Sequence, residues 1–172
     1  ALLLGGFAGA MRRSEIVGLC VDDLTFTEDG LSVLIRRSKT DQDGHGHLVG
    51  LPYGSNRITC PVRSVRGWLE VAQIDNGPLF PSMGRSEWPS GNALTGEMVC
   101  KILKAGLADI GVNPASYGAH SLRSGFITAA SAAGIDPVRI AKHTGHKSLG
   151  SLAPYIRAGS LFQNNVAAEL GL

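Results

Sequence analysis

The sequence predicts an α+β domain, mostly α-helical, with one small three-stranded antiparallel sheet. Three observations carry this expectation. Apolar residues recur at helical spacing from Pro61 to Ala72 and from Thr95 to Ile110, as they do when one face of a helix is buried. Between Asp23 and Leu51 the period shortens toward two, with an Asp29-Gly30 turn separating two strand-like runs, which is the pattern of a hairpin. Helical spacing then resumes over Ser121 to Ala133 and Pro137 to His143. With 172 residues, 44% hydrophobic content and 17% charge, the chain can bury one sizeable core and is expected to form a single domain over 1–172.

In chain order, Ala1 to Ala8 reads as a core helix broken at Gly9, and Met11 to Leu19 as a second helix with Ile16 and Leu19 facing inward. Arg12 and Glu15, three apart, share a face of it. Leu24 to Thr27, Leu31 to Arg36 and His47 to Leu51 are the three strands, the last two joined by a polar, glycine-rich loop from Ser38 to Gly46. Pro61 suits a first helical position, and Val62, Val65, Trp68, Leu69 and Ala72 form the buried stripe behind it. Pro78 to Asn92 reads as a loop anchored by Leu79 and Phe80. Thr95 is placed to cap the next helix, whose Val99, Ile102, Leu103, Leu107 and Ile110 keep helical spacing. Gly134 ends the helix from Ser121, and a final amphipathic segment runs from Leu161 to Leu170.

Formal charge is only +2, so basic character is local: Arg12-Arg13, Arg36-Arg37 with Lys39, Arg63 with Arg66, Lys101 with Lys104, and Arg139, Lys142 and Lys147. Three cysteines, at 20, 60 and 100, make neither a disulfide framework nor a thiolate zinc site, and fit a reducing compartment. His45-Gly46-His47 and His143-Thr144-Gly145-His146 lack a companion cysteine or carboxylate set, so no metal is expected. The opening apolar run has no basic leader and reads as a buried helix, not a signal peptide; no other run approaches membrane-spanning length. Nor do the glycines form a nucleotide-binding loop.

Chemistry concentrates in six positions: Arg12, Lys39, His120, Arg123, His146 and Tyr155. Taken singly each has a plain structural alternative. Arg12 and Glu15 can be a surface ion pair, His120 a helix cap, and Tyr155 a half-buried aromatic. In sequence order, however, His120-Ser121-Leu122-Arg123, then Thr144-Gly145-His146, then a tyrosine nine residues on resembles the catalytic domain of the tyrosine recombinase (phage integrase) family. The match runs from Gly9 to Arg157, with a lysine in the hairpin of the small sheet corresponding to Lys39. It selects Arg12 over Arg13, because the family's first arginine stands three residues before a glutamate.

The resemblance implies DNA strand cleavage by attack of Tyr155 on a phosphodiester, giving a covalent 3′-phosphotyrosine that a DNA end later resolves, without a cofactor. Arg12 and Arg123 would hold the non-bridging oxygens, since the planar guanidinium forks onto two acceptors and stays charged. A free phenol titrates near pH ~10 and needs a base; the family's candidate is His120. His146 would donate to the phosphate, Lys39 would protonate the departing 5′ oxygen, and Glu15 would orient the basic groups. Duplex contacts are expected at Arg13, Arg37, Lys39, Thr40 and Lys147. Expected partners are double-stranded DNA and other protomers in a tetrameric synapse, with no membrane. The expected location is the bacterial cytoplasm, at the nucleoid, in a bacterium- or phage-encoded protein. Because the sequence begins about one helix before Arg12, it is expected to be an amino-terminally truncated catalytic domain without the family's separate core-binding domain. Pro154, next to Tyr155, predicts a kink where the family has a short helix. The alternatives are a non-catalytic DNA- or partner-binding remnant and a type IB topoisomerase-like activity.

Overall fold

The computed structural model describes residues 1–36, 46–84, 88–118, 120–159, 167 and 170. Its helices are α1 (Leu2–Ala8), α2 (Arg13–Gly18), α3 (Pro61–Ala72), α4 (Gly96–Asp109), α5 (Ser121–Ala132), α6 (Pro137–Thr144) and α7 (Ala153–Gly159). Strands β1 (Leu24–Phe26), β2 (Gly30–Ile35) and β3 (His47–Pro52) form an antiparallel sheet in the order β1-β2-β3. Leu31, Val33 and Ile35 of β2 and Val49 and Leu51 of β3 point into the main core, alternating with outward residues as the pleat requires. That core also takes Leu2, Met11, Ile16, Val62, Val65, Leu79, Phe80, Val99, Leu103 and Leu122. Gly30 is needed for backbone proximity: a Cβ there would sit 2.1 Å from the Leu51 carbonyl oxygen.

A second, smaller apolar cluster unites Ile127 of α5, Ile140 and Ala141 of α6 and Leu152, with Phe126, Ala130, Tyr155 and Ile156 packed around it. It seats α7 against α5, and the buried Ser131 hydroxyl adds a hydrogen bond to the Ile156 carbonyl at 3.1 Å. The aromatic nucleophile candidate therefore rests on packed helices instead of a free loop.

Several expectations need correction. Residues 78–92 are not all loop: β4 (Pro81–Met83) pairs with β5 (Pro89–Ala93), each opening on a proline. Proline is tolerated at the first residue of an edge strand, where no ladder donor is required. The helix expected from Met11 starts at Arg13, because Arg12 is extended (φ −74°, ψ 155°) and Met11 turns into the core. The stripe on α4 is narrower than its spacing implied: Val99 and Leu103 are buried, whereas Ile102 lies at the surface and Ile110 is beyond the helix end. Pro154 causes no kink, because α7 begins at Ala153 and leaves the proline in the first turn, where its missing N–H has no intrahelical partner to lose. The expected amphipathic segment from Leu161 to Leu170 lies outside the described residues except at Ala167 and Leu170. No helix among the described residues is long and apolar enough to cross a membrane.

Asp23 closes the sheet toward the loop between β2 and β3. Its buried carboxylate accepts from the Cys20 N–H at 2.8 Å and pairs with the Arg36 guanidinium just past β2. This contact holds the Arg36 pKa above its ordinary value. Asp23→Ala removes the capping bond from the Cys20 N–H, worth about 1 kcal/mol, together with the pair to the solvent-facing Arg36. Denaturant unfolding should therefore show a loss of about 1 kcal/mol.

Candidate active site

Arg12 is placed by its own backbone. Its N–H donates to Glu15 Oε2 at 2.7 Å, and its Nη1 donates to Oε1 of the same carboxylate at 2.6 Å. Glu15 is the third residue of α2, so one side chain both satisfies an orphan donor at the helix start and aims the guanidinium. The pair is not the surface bridge that spacing alone allows: the Glu15 side chain is 2% exposed and that of Arg12 18%.

Arg123, 2% exposed on α5, spans the site as a strut. Its Nη1 donates to the Ala10 carbonyl at 2.7 Å and its Nη2 to the Thr144 carbonyl. Ala10 adopts φ +48°, a left-handed conformation unusual for a residue with a Cβ, in the link between α1 and α2. Two carbonyls leave a guanidinium further N–H groups for an anion. Burial first, then repulsion by Arg12, pushes the Arg123 pKa down to about 10, which still leaves it charged at neutral pH.

His146 sits beside this strut. Arg123 Nη2 lies 3.2 Å from its Nδ1 and 3.3 Å from its Nε2. Gly145, at φ +66°, caps α6 and turns the chain back. A Cβ there would lie in ordinary contact with the His47 ring, 3.4 Å away, so it is the left-handed backbone angle that calls for glycine. His47 opens β3, which brings the described root of the Lys39 loop up to this turn.

Desolvation first, then the neighbouring Arg123, Arg12 and His120, push the His146 pKa down to about 4. The ring is therefore neutral at pH 7. Because an unfolded histidine titrates near ~6.5, the unfolded chain binds the extra proton between about pH 6.5 and 4. Stability falls as pH drops through that window. An NMR titration of the His146 ring should give a midpoint near 4 in the free protein, moving upward when a duplex brings phosphate charge to it.

Tyr155 is the third residue of α7, and its hydroxyl lies 3.3 Å from His120 Nε2. His120 is exposed at the N-cap position of α5, but its side chain makes no capping bond there; its ring turns to the tyrosine instead. His143 lies outside the cluster, with Nε2 2.7 Å from the Ala8 carbonyl and the ring stacked on Phe126 at 4.9 Å.

The structure thus brings Arg12, His120, Arg123, His146 and Tyr155 together, with Glu15 behind them. Lys39, Arg37 and Thr40 lie outside the described residues. Arg13 and Lys147 are exposed and flank Arg12 and His146 in sequence. Among the described residues, no three His, Cys, Asp or Glu side chains gather as metal ligands. Sequence reasoning missed Thr144, Ala10 and His47. Thr144 lay inside a motif already singled out, whereas the carbonyl of Ala10 carries no signal in its side chain.

Solved structures share this architecture. The XerH site-specific recombinase bound to palindromic difH substrate superposes with a TM-score of 0.72 at 22% identity, covering 99% of this chain and 44% of that one. XerA recombinase gives 0.68 at 18% identity, covering 99% and 54%. The Tn1549 transposon integrase in complex with transposon right end DNA gives 0.64 at 14%, covering 98% and 56%. The fold is therefore that of tyrosine recombinases. The model of the phage integrase family matches residues 2–160, and the chain belongs to that family. It is also 39% identical over 165 residues to an integrase/recombinase xerD homolog from Selenomonas ruminantium. That alignment takes in 96% of this chain and 48% of the relative, so the chain spans about half the length of the curated protein it matches.

Proposed function

We propose that residues 1–172 are the catalytic domain of a site-specific DNA recombinase that breaks and rejoins strands through a covalent phosphotyrosine at Tyr155. The observation that carries this reading is the Tyr155 hydroxyl 3.3 Å from His120 Nε2, beside a cluster of two arginines and a neutral histidine. The phenolic oxygen attacks the scissile phosphorus as His120 takes its proton. The phosphorus–oxygen bond to the 5′ side breaks, and Lys39 supplies the proton that the leaving oxygen requires. Arg12, Arg123 and His146 donate to the non-bridging oxygens, where charge gathers in the transition state; a single such donor is worth about 3–4 kcal/mol. One phosphodiester bond is exchanged for another, so rejoining needs no cofactor.

The proposed partners are duplex DNA, gripped partly by Arg13, Arg37, Lys39, Thr40 and Lys147, and further protomers, four in a complete synapse. The proposed setting is the nucleoid of a bacterium, in a chain of bacterial, phage or mobile-element origin. The test is incubation with a randomised pool of nicked suicide duplexes, whose short 5′ fragment diffuses away after cleavage. A protein–DNA adduct that survives denaturing electrophoresis is the expected result. Duplex binding without any adduct would replace this reading with a non-catalytic DNA-binding one, and supercoil relaxation without strand exchange would favour a topoisomerase.

A further inference from the structure

Thr144 ends α6 with its side chain 1% exposed, so water does not serve its hydroxyl. Three groups lie within reach of that hydroxyl: Oγ1 is 2.7 Å from the Ile140 carbonyl, 3.4 Å from the Ala141 carbonyl and 2.6 Å from His146 Nδ1. The Ile140 carbonyl stands four residues back in the helix, where α-helical geometry already supplies it with a backbone donor. It is not left bare if the hydroxyl turns away. His146 Nδ1 has one further described donor in reach, Arg123 Nη2 at 3.2 Å. Arg123 Nη2 is almost equidistant from the two ring nitrogens, at 3.2 and 3.3 Å, which places the cation beside the ring instead of on one nitrogen.

The groups around this ring oppose a second proton on it. Arg123 from α5, Arg12 from the start of α2 and His120 ahead of α5 all disfavour the imidazolium, and among the described residues only Glu15 favours it. From β3, His47 covers the neighbouring Gly145. A neutral imidazole carries one N–H, and the partner of one nitrogen decides which nitrogen holds it. The turn fixes the main chain that carries the ring, because the His146 backbone N–H donates to the Ala141 carbonyl at 3.0 Å.

We propose that Thr144 is a positioning residue for strand cleavage: its hydroxyl donates to His146 Nδ1 and holds the proton on Nε2, ready to donate to the scissile phosphate. This inference rests on the recombinase reading. The opposite arrangement, Nδ1–H donating to Thr144 Oγ1, turns a bare lone pair toward an anionic phosphate. A neutral histidine in that form opposes the transition state instead of stabilising it.

Long-range nitrogen–proton NMR spectra of the labelled chain read the tautomer directly, with His146→Gln assigning the signals. The wild type should show Nε2–H, and Thr144→Val should shift the ring toward Nδ1–H. Adduct formation on the suicide duplexes should fall at least ~10-fold in Thr144→Val, but by no more than the ~10²–10³ that accompanies loss of an oxyanion donor. Thr144→Ser should recover most of it. A wild-type ring in the Nδ1–H form, or a valine variant that cleaves like the wild type, overturns the proposal. If the valine variant does not fold, the wild-type spectrum decides. If the wild type itself forms no adduct, the recombinase reading fails, while the spectrum still decides what Thr144 does to His146.

Discussion

Tyr155→Phe should fold and melt like the parent chain and form no covalent adduct with DNA. The substitution removes one oxygen, whose partner is His120 Nε2 at 3.3 Å at a partly exposed position. A neutral hydrogen bond of that kind contributes at most about 0.5–1.5 kcal/mol. The ring still fills the cluster around Ile127, Ile140 and Leu152, so α7 stays seated. Chemically the loss is total, because without the phenolic oxygen no bond to phosphorus forms. Duplex binding should persist, since phosphate contacts by the basic groups do not depend on this oxygen. The check is a pair of gels, native for binding and denaturing for the adduct, alongside a thermal melt. A residual adduct in the Phe variant would move the nucleophile elsewhere, with Tyr117, 41% exposed and three residues before His120, the first to examine.

Much of this site was legible because its spacing is helical. His120 and Arg123, three apart, had to share one side of a helix start, and Arg12 and Glu15 likewise had to meet. What spacing cannot carry is burial and backbone direction. Nothing in Arg12-Arg13-Ser14-Glu15 says that Glu15 is enclosed, since that depends on the core closing over α2. The carbonyl that Ala10 offers to Arg123 comes from a left-handed backbone angle at an alanine, a conformation the residue type argues against. Proline misled at Pro154, which predicts a kink yet stands at the second residue of α7, where its missing N–H has no intrahelical partner to lose. Thr144 lay in plain view within Thr144-Gly145-His146, but its contact with His146 exists only because Gly145 folds the chain back on α6.

Arg123→Lys should lower adduct formation by about 10²–10³-fold and also lower the melting temperature, although it keeps the positive charge. Keeping the charge is what makes the substitution informative. The repulsion from Arg12 and the attraction to Glu15 remain, so both losses report the shape of the guanidinium. Arg123 reaches the Ala10 carbonyl with one terminal nitrogen and the Thr144 carbonyl with the other, bridging the link before α2 to the end of α6. Lysine has a single nitrogen and serves one of these at most. The other buried carbonyl then goes unpaired, at a cost of about 1–3 kcal/mol. The phosphate then loses a two-pronged donor and gains a mobile point charge. Melting curves and adduct time courses on the same preparations separate the two effects. A lysine variant that melts lower yet cleaves at the parental rate would show that Arg123 serves the fold as a strut and leaves the phosphate to Arg12 and His146.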